Sequence, residues 1–210
     1  MADWVAISSL ATAGGTLALA VTTYASVRSA NRAARVAELS LLAGLRPLLV
    51  ESSETDPLQH VGFMDATGLP VPGGGAFIEV VDGNLFVVLS LKNVGPGIAV
   101  LHGGLVYPDN VRNRGDHAPI DEMRMLQRDL YISSGSVGYW QIAFREDDDY
   151  RRQLEETIRS GVVSVEVLYG DYEGGQRVIT RFGARMVEGQ WQVSTIRHWQ
   201  LDRSEVRPRA

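Results

Sequence analysis

Hydrophobic and polar positions change their period twice along this chain. From Trp4 to Val27 there is no charged side chain: Asp3 is the last charge before Arg28. These 24 residues would span roughly 36 Å as a helix at about 1.5 Å per residue, against a hydrocarbon core of about 30 Å. Trp4 and Tyr24 lie near the two ends, where amphipathic rings favour the membrane interface. The pattern predicts a transmembrane helix over residues 4–27. A cleaved signal peptide would carry basic residues ahead of its apolar core, and here only Asp3 precedes it. A buried soluble helix is seldom this long without a charge.

Ser8, Ala11, Gly15, Ala18, Thr22 and Ala25 recur at spacings of three and four and would share one face. A stripe of small residues lets two helix backbones approach closely in lipid, so self-association through this stripe is one expectation. Incidental periodicity in an alanine-rich span is the other. Residues 28–46 read as a helical juxtamembrane stalk, with Arg28, Arg32 and Arg35 on one side as contacts for lipid phosphates. Pro47 ends the helix, because the residue before proline avoids the α region. The arginines follow the span and no basic side chain precedes it. Basic flanks stay on the cytoplasmic side, so the expected location is a single-pass cell-membrane protein with its N-terminus outside and its C-terminal domain in the cytoplasm.

From Pro47 the period shortens towards two. Strands are predicted at 48–52, 76–81, 85–91, 98–107, 130–133, 136–144, 162–169, 176–187 and 190–199, separated by turns such as Asp82-Gly83-Asn84 and Asp171-Tyr172-Glu173-Gly174-Gly175. Residues 53–75 read as a long loop. Asp148 or Asp149 caps a short helix that ends at Gly161. Residues 136–144 are apolar on both faces, as in a sandwich. The expectation is a mainly β domain over residues 47–201, an antiparallel immunoglobulin-like β-sandwich of about eight strands with one short helix, followed by a flexible tail at 202–210.

Composition narrows the chemistry. The net charge of −5 argues against a general nucleic-acid binder. The absence of cysteine removes disulfides, thiolate metal sites and cysteine nucleophiles. Gly95-Pro96-Gly97 follows a strand but lacks the third glycine and the helix of a dinucleotide fingerprint, so it reads as a turn. The run Glu146-Asp147-Asp148-Asp149 lacks the ligand spacing of a calcium loop and suits a helix N-terminus. His60, His102, His117 and His198 form no metal-binding pair in sequence. No cofactor, metal or catalytic residue is predicted.

The opening Arg46-Pro47-Leu48-Leu49-Val50, and the run Leu91-Lys92-Asn93-Val94-Gly95-Pro96-Gly97-Ile98-Ala99 with its Asn-x-Gly-x-Gly-x-Ala spacing, resemble a loose class of uncharacterised bacterial membrane-anchored β-sandwich proteins. The resemblance implies a tether and a β domain and carries no activity.

Together these features favour a membrane-tethered module that binds a protein partner or its own copies without catalysis. Arg197, His198, Trp199 and Asp202, which mix an aromatic with charges, are its expected partner surface. Two alternatives remain. One is a small-ligand or lipid-headgroup sensor with a pocket near Arg28 to Arg46. The other is a hydrolase pairing the acids of residues 146–149 with His60, His102 or His117.

Overall fold

The computed structural model describes residues 4–63, 68–109, 111 and 114–202. It is mainly β, with 43% strand against 27% helix. The chain forms two units, divided between Ala43 and Gly44.

The first unit is one helix, α1, running unbroken over Trp4–Gly44. The two segments expected as span and stalk are therefore one helix, which stops three residues short of Pro47. Its stretch from Ser8 is long and apolar enough to cross a membrane. The hydroxyls that dilute this stretch bond back to their own helix. Thr12 Oγ1 donates to the Ser8 carbonyl and Thr16 Oγ1 to that of Thr12, each at 2.8 Å, and Thr22 Oγ1 donates to the Ala18 carbonyl at 3.0 Å. Such back-bonding removes the cost of a hydroxyl in hydrocarbon.

Among the described residues the second unit holds eleven strands and one α-helix. In chain order these are β1 (Leu49–Glu51), β2 (Gln59–Val61), β3 (Leu69–Val71), β4 (Gly75–Val81), β5 (Asn84–Asn93), β6 (Ala99–Val106), β7 (Arg124–Ile132), β8 (Val137–Phe144), α2 (Asp149–Arg159), β9 (Val162–Gly170), β10 (Val178–Val187) and β11 (Gln190–Gln200). Turn chemistry sets several boundaries. Asp82 and Gly83 both have positive φ, 48° and 78°, as a tight hairpin of this type requires. The Asp148 side chain accepts from the Tyr150 amide and caps α2.

Nine strands form one curled antiparallel sheet in the order β1-β5-β4-β11-β10-β9-β6-β7, with β8 on the remaining edge of β5. On their shared edge of β5, β4 pairs with residues 84–89 and β1 with 91–93. The immunoglobulin-like arrangement of two separately bonded sheets is not what this ladder traces. The outer faces of the strands are apolar for another reason, because excursions of the chain cover them. The β2–β3 hairpin, in the stretch expected to be a plain loop, buries Val61 and Val71 on Val88, with Phe63, Phe77 and Tyr139 around them. The loop after β6 buries Tyr107, Val111, Ala118 and Met123 on Leu168, Ile179 and Trp199. The main core lies inside the curl, around Leu89, Trp140, Phe144, Leu154, Val165 and Phe182.

The Asn-x-Gly-x-Gly-x-Ala run has a structural task. Asn93 is fully buried and its amide makes four hydrogen bonds. Nδ2 donates to the carbonyls of Gly97 (2.7 Å) and Ile132 (2.9 Å), and Oδ1 accepts from the amides of Gly95 (3.0 Å) and Leu48 (3.2 Å). Gly95 and Gly97 let residues 45–48 lie directly on this turn. A Cβ on Gly95 would sit 2.5 Å from both Arg46 O and Leu48 N, and one on Gly97 would overlap the Leu45 carbonyl.

Candidate functional site

The two end strands of the sheet are consecutive in sequence. β7 and β8 flank the short turn at residues 133–136, yet no ladder joins them among the described residues. Trp140, at the centre of β8, instead reaches across the core and donates from Nε1 to the Gly103 carbonyl of β6 at 3.2 Å. The curl thus stops just short of closing, and each of the two strands keeps one edge outside the ladder. A cleft of about 510 Å³ opens along this seam, between Arg124–Arg128 and Leu130 of β7 and Gln141–Ala143 of β8, with Phe63 at its rim.

The chemistry of the cleft is mixed. Leu126, Leu130 and Ile142 give it an apolar floor, and Arg124, Arg128 and Arg145 stand against one carboxylate, Asp148. Arg124 donates to Asp148 at 2.6 Å and lies over the Phe144 ring at 4.7 Å. The Arg124 guanidinium holds the Asp148 carboxyl below its ordinary 3.8. Arg128 is exposed and reaches the Gly62 carbonyl at 3.3 Å. Gln141 is 8% exposed, and its Oε1 has no hydrogen-bond partner. β7 is an edge strand of unusual apolar exposure: Met125 is 57% exposed and Tyr131 60%.

A second cluster is fully buried. Arg181 and Glu166, both 0% exposed, form an ion pair with Nη2 at 2.6 Å from Oε1. All five guanidinium donors are used. Nε and Nη2 donate to Glu166 Oε1, Nη1 to the carbonyls of Val111 and Arg114, and Nη2 also to that of Asp116. Glu166 Oε2 accepts from the Ala118 amide. The pair therefore staples the loop after β6 onto the outer face of β9 and β10. Burial and the Glu166 carboxylate push the Tyr107 hydroxyl up to about 12. With every guanidinium donor matched and both charges fully buried, this ion pair serves the fold.

β11 divides the expected partner surface between two faces, because neighbouring residues on a strand point opposite ways. Trp199 is 3% exposed, on the outer face beneath Arg181 (4.8 Å) and Arg197 (5.2 Å). His198 faces the other way, and its Nδ1 meets Thr180 Oγ1 at 2.7 Å. That hydroxyl in turn meets Tyr169 Oη at 2.9 Å. Burial pushes the His198 imidazole below its ordinary 6.5, against the opposing pull of the Glu51 carboxylate. Asp202 is paired with Arg177 at 2.7 Å, and residues 203–210 lie outside the described residues.

The other expected residues are placed as follows. Along α1, Ser8, Gly15, Ala18, Thr22 and Ala25 are exposed, as are Arg28, Arg32 and Arg35; the Ala11 side chain lies outside the description. His60 is in β2, His102 in β6 and His117 in the loop stapled by Arg181, and none of them hydrogen-bonds the acids of residues 146–149. Among those acids Asp148 caps α2 and Asp149 pairs with Arg152. No group of three potential metal ligands exists among the described residues. The seam itself has no sequence signal beyond the apolar and basic mixture of Arg124–Tyr131, because what defines it is a pairing that is not made.

Comparison with protein-family models, curated proteins and solved structures returns no match. Fold and site define the chain only as a β domain behind an N-terminal helix apolar enough to span a membrane.

Proposed function

We propose that this chain is a membrane-tethered, non-catalytic interaction module that receives a polypeptide segment at the open seam between β7 and β8. The observation that carries the reading is the seam: two strand edges outside the ladder, lining one cleft, with large apolar side chains exposed on β7. Unpaired edges are templates for another strand, and strand addition is a recurring mode of peptide recognition. The uncharged stretch of α1 followed by Arg28, Arg32 and Arg35 supports a single-pass anchor with the β domain on the cytoplasmic side. The small-residue stripe would let anchors pair and bring two seams together. The cleft is lined from β7 and β8 and not from Arg28 to Arg46, so this cleft does not serve the lipid-headgroup alternative.

The test places a photo-crosslinking residue at Gln127 of β7, or at Glu188 in the β10–β11 turn, in the full chain in native membranes. The Gln127 probe is expected to give a discrete adduct, mapped to an extended segment. A Leu126→Pro change, which removes an edge N–H, should abolish it. Equal labelling from Gln127 and Glu188 would refute the reading.

A further inference from the structure

The occupant of the seam can be narrowed by chemistry, given the strand-addition reading on which this step rests. We infer that the seam takes a short extended segment of a partner protein in which carboxylates alternate with apolar side chains. Three arginines and one carboxylate line the cleft, and that carboxylate is already paired with Arg124. The chain as a whole carries −5, so this is a local reversal of its sign. On an added strand, successive side chains point to opposite faces. One set would meet the apolar floor of Leu126, Leu130 and Ile142, and the other the Arg128 guanidinium, which reaches Gly62 beside the β2–β3 hairpin. Arg128 suits the second role, since it makes no ion pair among the described residues and holds only a long bond to the Gly62 carbonyl. Gln141 supplies an independent observation. Its buried Oε1 is an acceptor without a donor, a costly state that a peptide N–H in the cleft would relieve. The volume of about 510 Å³ has room for a few residues of one strand, so recognition is of a short motif. Arginines on an edge strand also disfavour a basic strand, including the Arg124–Arg128 stretch of a second copy.

The experiment uses the full chain in lipid nanodiscs and two fluorescent octapeptides, one alternating glutamate with valine and one alternating lysine with valine. The acidic peptide is expected to bind at least tenfold tighter, and to weaken as salt rises from 50 to 500 mM, because rim charges are screened. Arg128→Glu should lower its affinity at least tenfold and raise that of the lysine peptide. Arg128 is exposed and makes no ion pair among the described residues, so this variant keeps the fold, which circular dichroism verifies. Because the chain has no cysteine, a Gln127→Cys variant can trap a cysteine-tagged peptide at the seam and locate the binding. Equal binding of both peptides at the trapped site overturns the acidic class and leaves strand addition standing. No binding of either peptide overturns both. Self-association through Gln127 in the absence of peptide overturns the partner in favour of a second copy.

Discussion

Arg181→Met should destabilise the β domain by about 3–5 kcal/mol, because it leaves the Glu166 carboxylate buried without its counter-charge. The guanidinium donates all five of its N–H groups, two to Glu166 and three to the carbonyls of Val111, Arg114 and Asp116. Each buried acceptor left unmatched costs about 1–3 kcal/mol, and more when charged. The loop carbonyls can recover water if the loop lifts away, so they do not add in full. Glu166 is in the middle of β9 and cannot leave the sheet without breaking it. Methionine keeps most of the stem but gives up the guanidinium's place over the Tyr107 and Trp199 rings, a smaller loss than the orphaned charge. Removing both charges with Arg181→Met and Glu166→Leu should cost less than Arg181→Met alone, since no buried charge is then orphaned. The assay is urea unfolding of the full chain in detergent, followed by tryptophan fluorescence. The midpoints give the loss at constant slope. A loss under about 1 kcal/mol for Arg181→Met, or a double variant less stable than the single one, would refute the reasoning.

Three further outcomes follow from other sites. Asp148→Ala removes the α2 cap and the partner of Arg124, and should cost about 1–2 kcal/mol at pH 7. The folded value of Asp148 lies below 3.8, so its contribution is present above that pH and fades as the pH falls through the folded value. Wild type and variant should then converge in acid unfolding curves. His198 is depressed in the folded state, so its contribution is full above pH 6.5 and is lost as the pH drops through the folded value. His198→Gln should flatten the fall in melting temperature between pH 7.5 and 5.5; an unchanged fall would remove His198 as its source. Gly97→Ala forces a methyl into the Leu45 carbonyl and should cost about 1–3 kcal/mol, whereas Gly14→Ala, with nothing within 4 Å, should leave the melting of the β domain unchanged.

Much of the fold was legible because it depends on local rules. The end of α1 before Pro47, the cap at Asp148 and the turn at Asp171–Gly175 each rest on a few adjacent residues. In that turn Asp171 Oδ1 accepts from the amides of Glu173 and Gly175. The sheet topology was not legible. Apolar residues on both faces of residues 136–144 suggested a second sheet, whereas a hairpin hidden in the proline- and glycine-rich stretch 53–75 covers the outer face. The run Arg124–Asp129 has too little alternation to read as a strand, because an edge strand beside an open cleft need not bury one face. Glu166 and Arg181 each stand in an alternating strand as if facing solvent, and only the loop folded over them makes them a buried pair. The surface expected at 197–202 failed to form one patch because alternation along β11 sends Trp199 and His198 to opposite sides.

The position of β11 has a consequence for how the domain is made. It is synthesised after every strand it joins, yet it stands between β4 and β10 in the middle of the sheet. Its pairing with β4 covers only Trp191–Ala76 and Gln192–Gly75, extended by the Val193 amide to the Gly74 carbonyl at 2.9 Å. Between Gly75 and Gln200 the ribosome adds 125 residues, which takes about 6–25 s. Throughout that interval the nascent β4–β5–β8 half has a bare edge and an uncovered apolar face. A chain terminated after Glu188 would keep both halves in that condition permanently, and should aggregate as a whole instead of yielding one folded half.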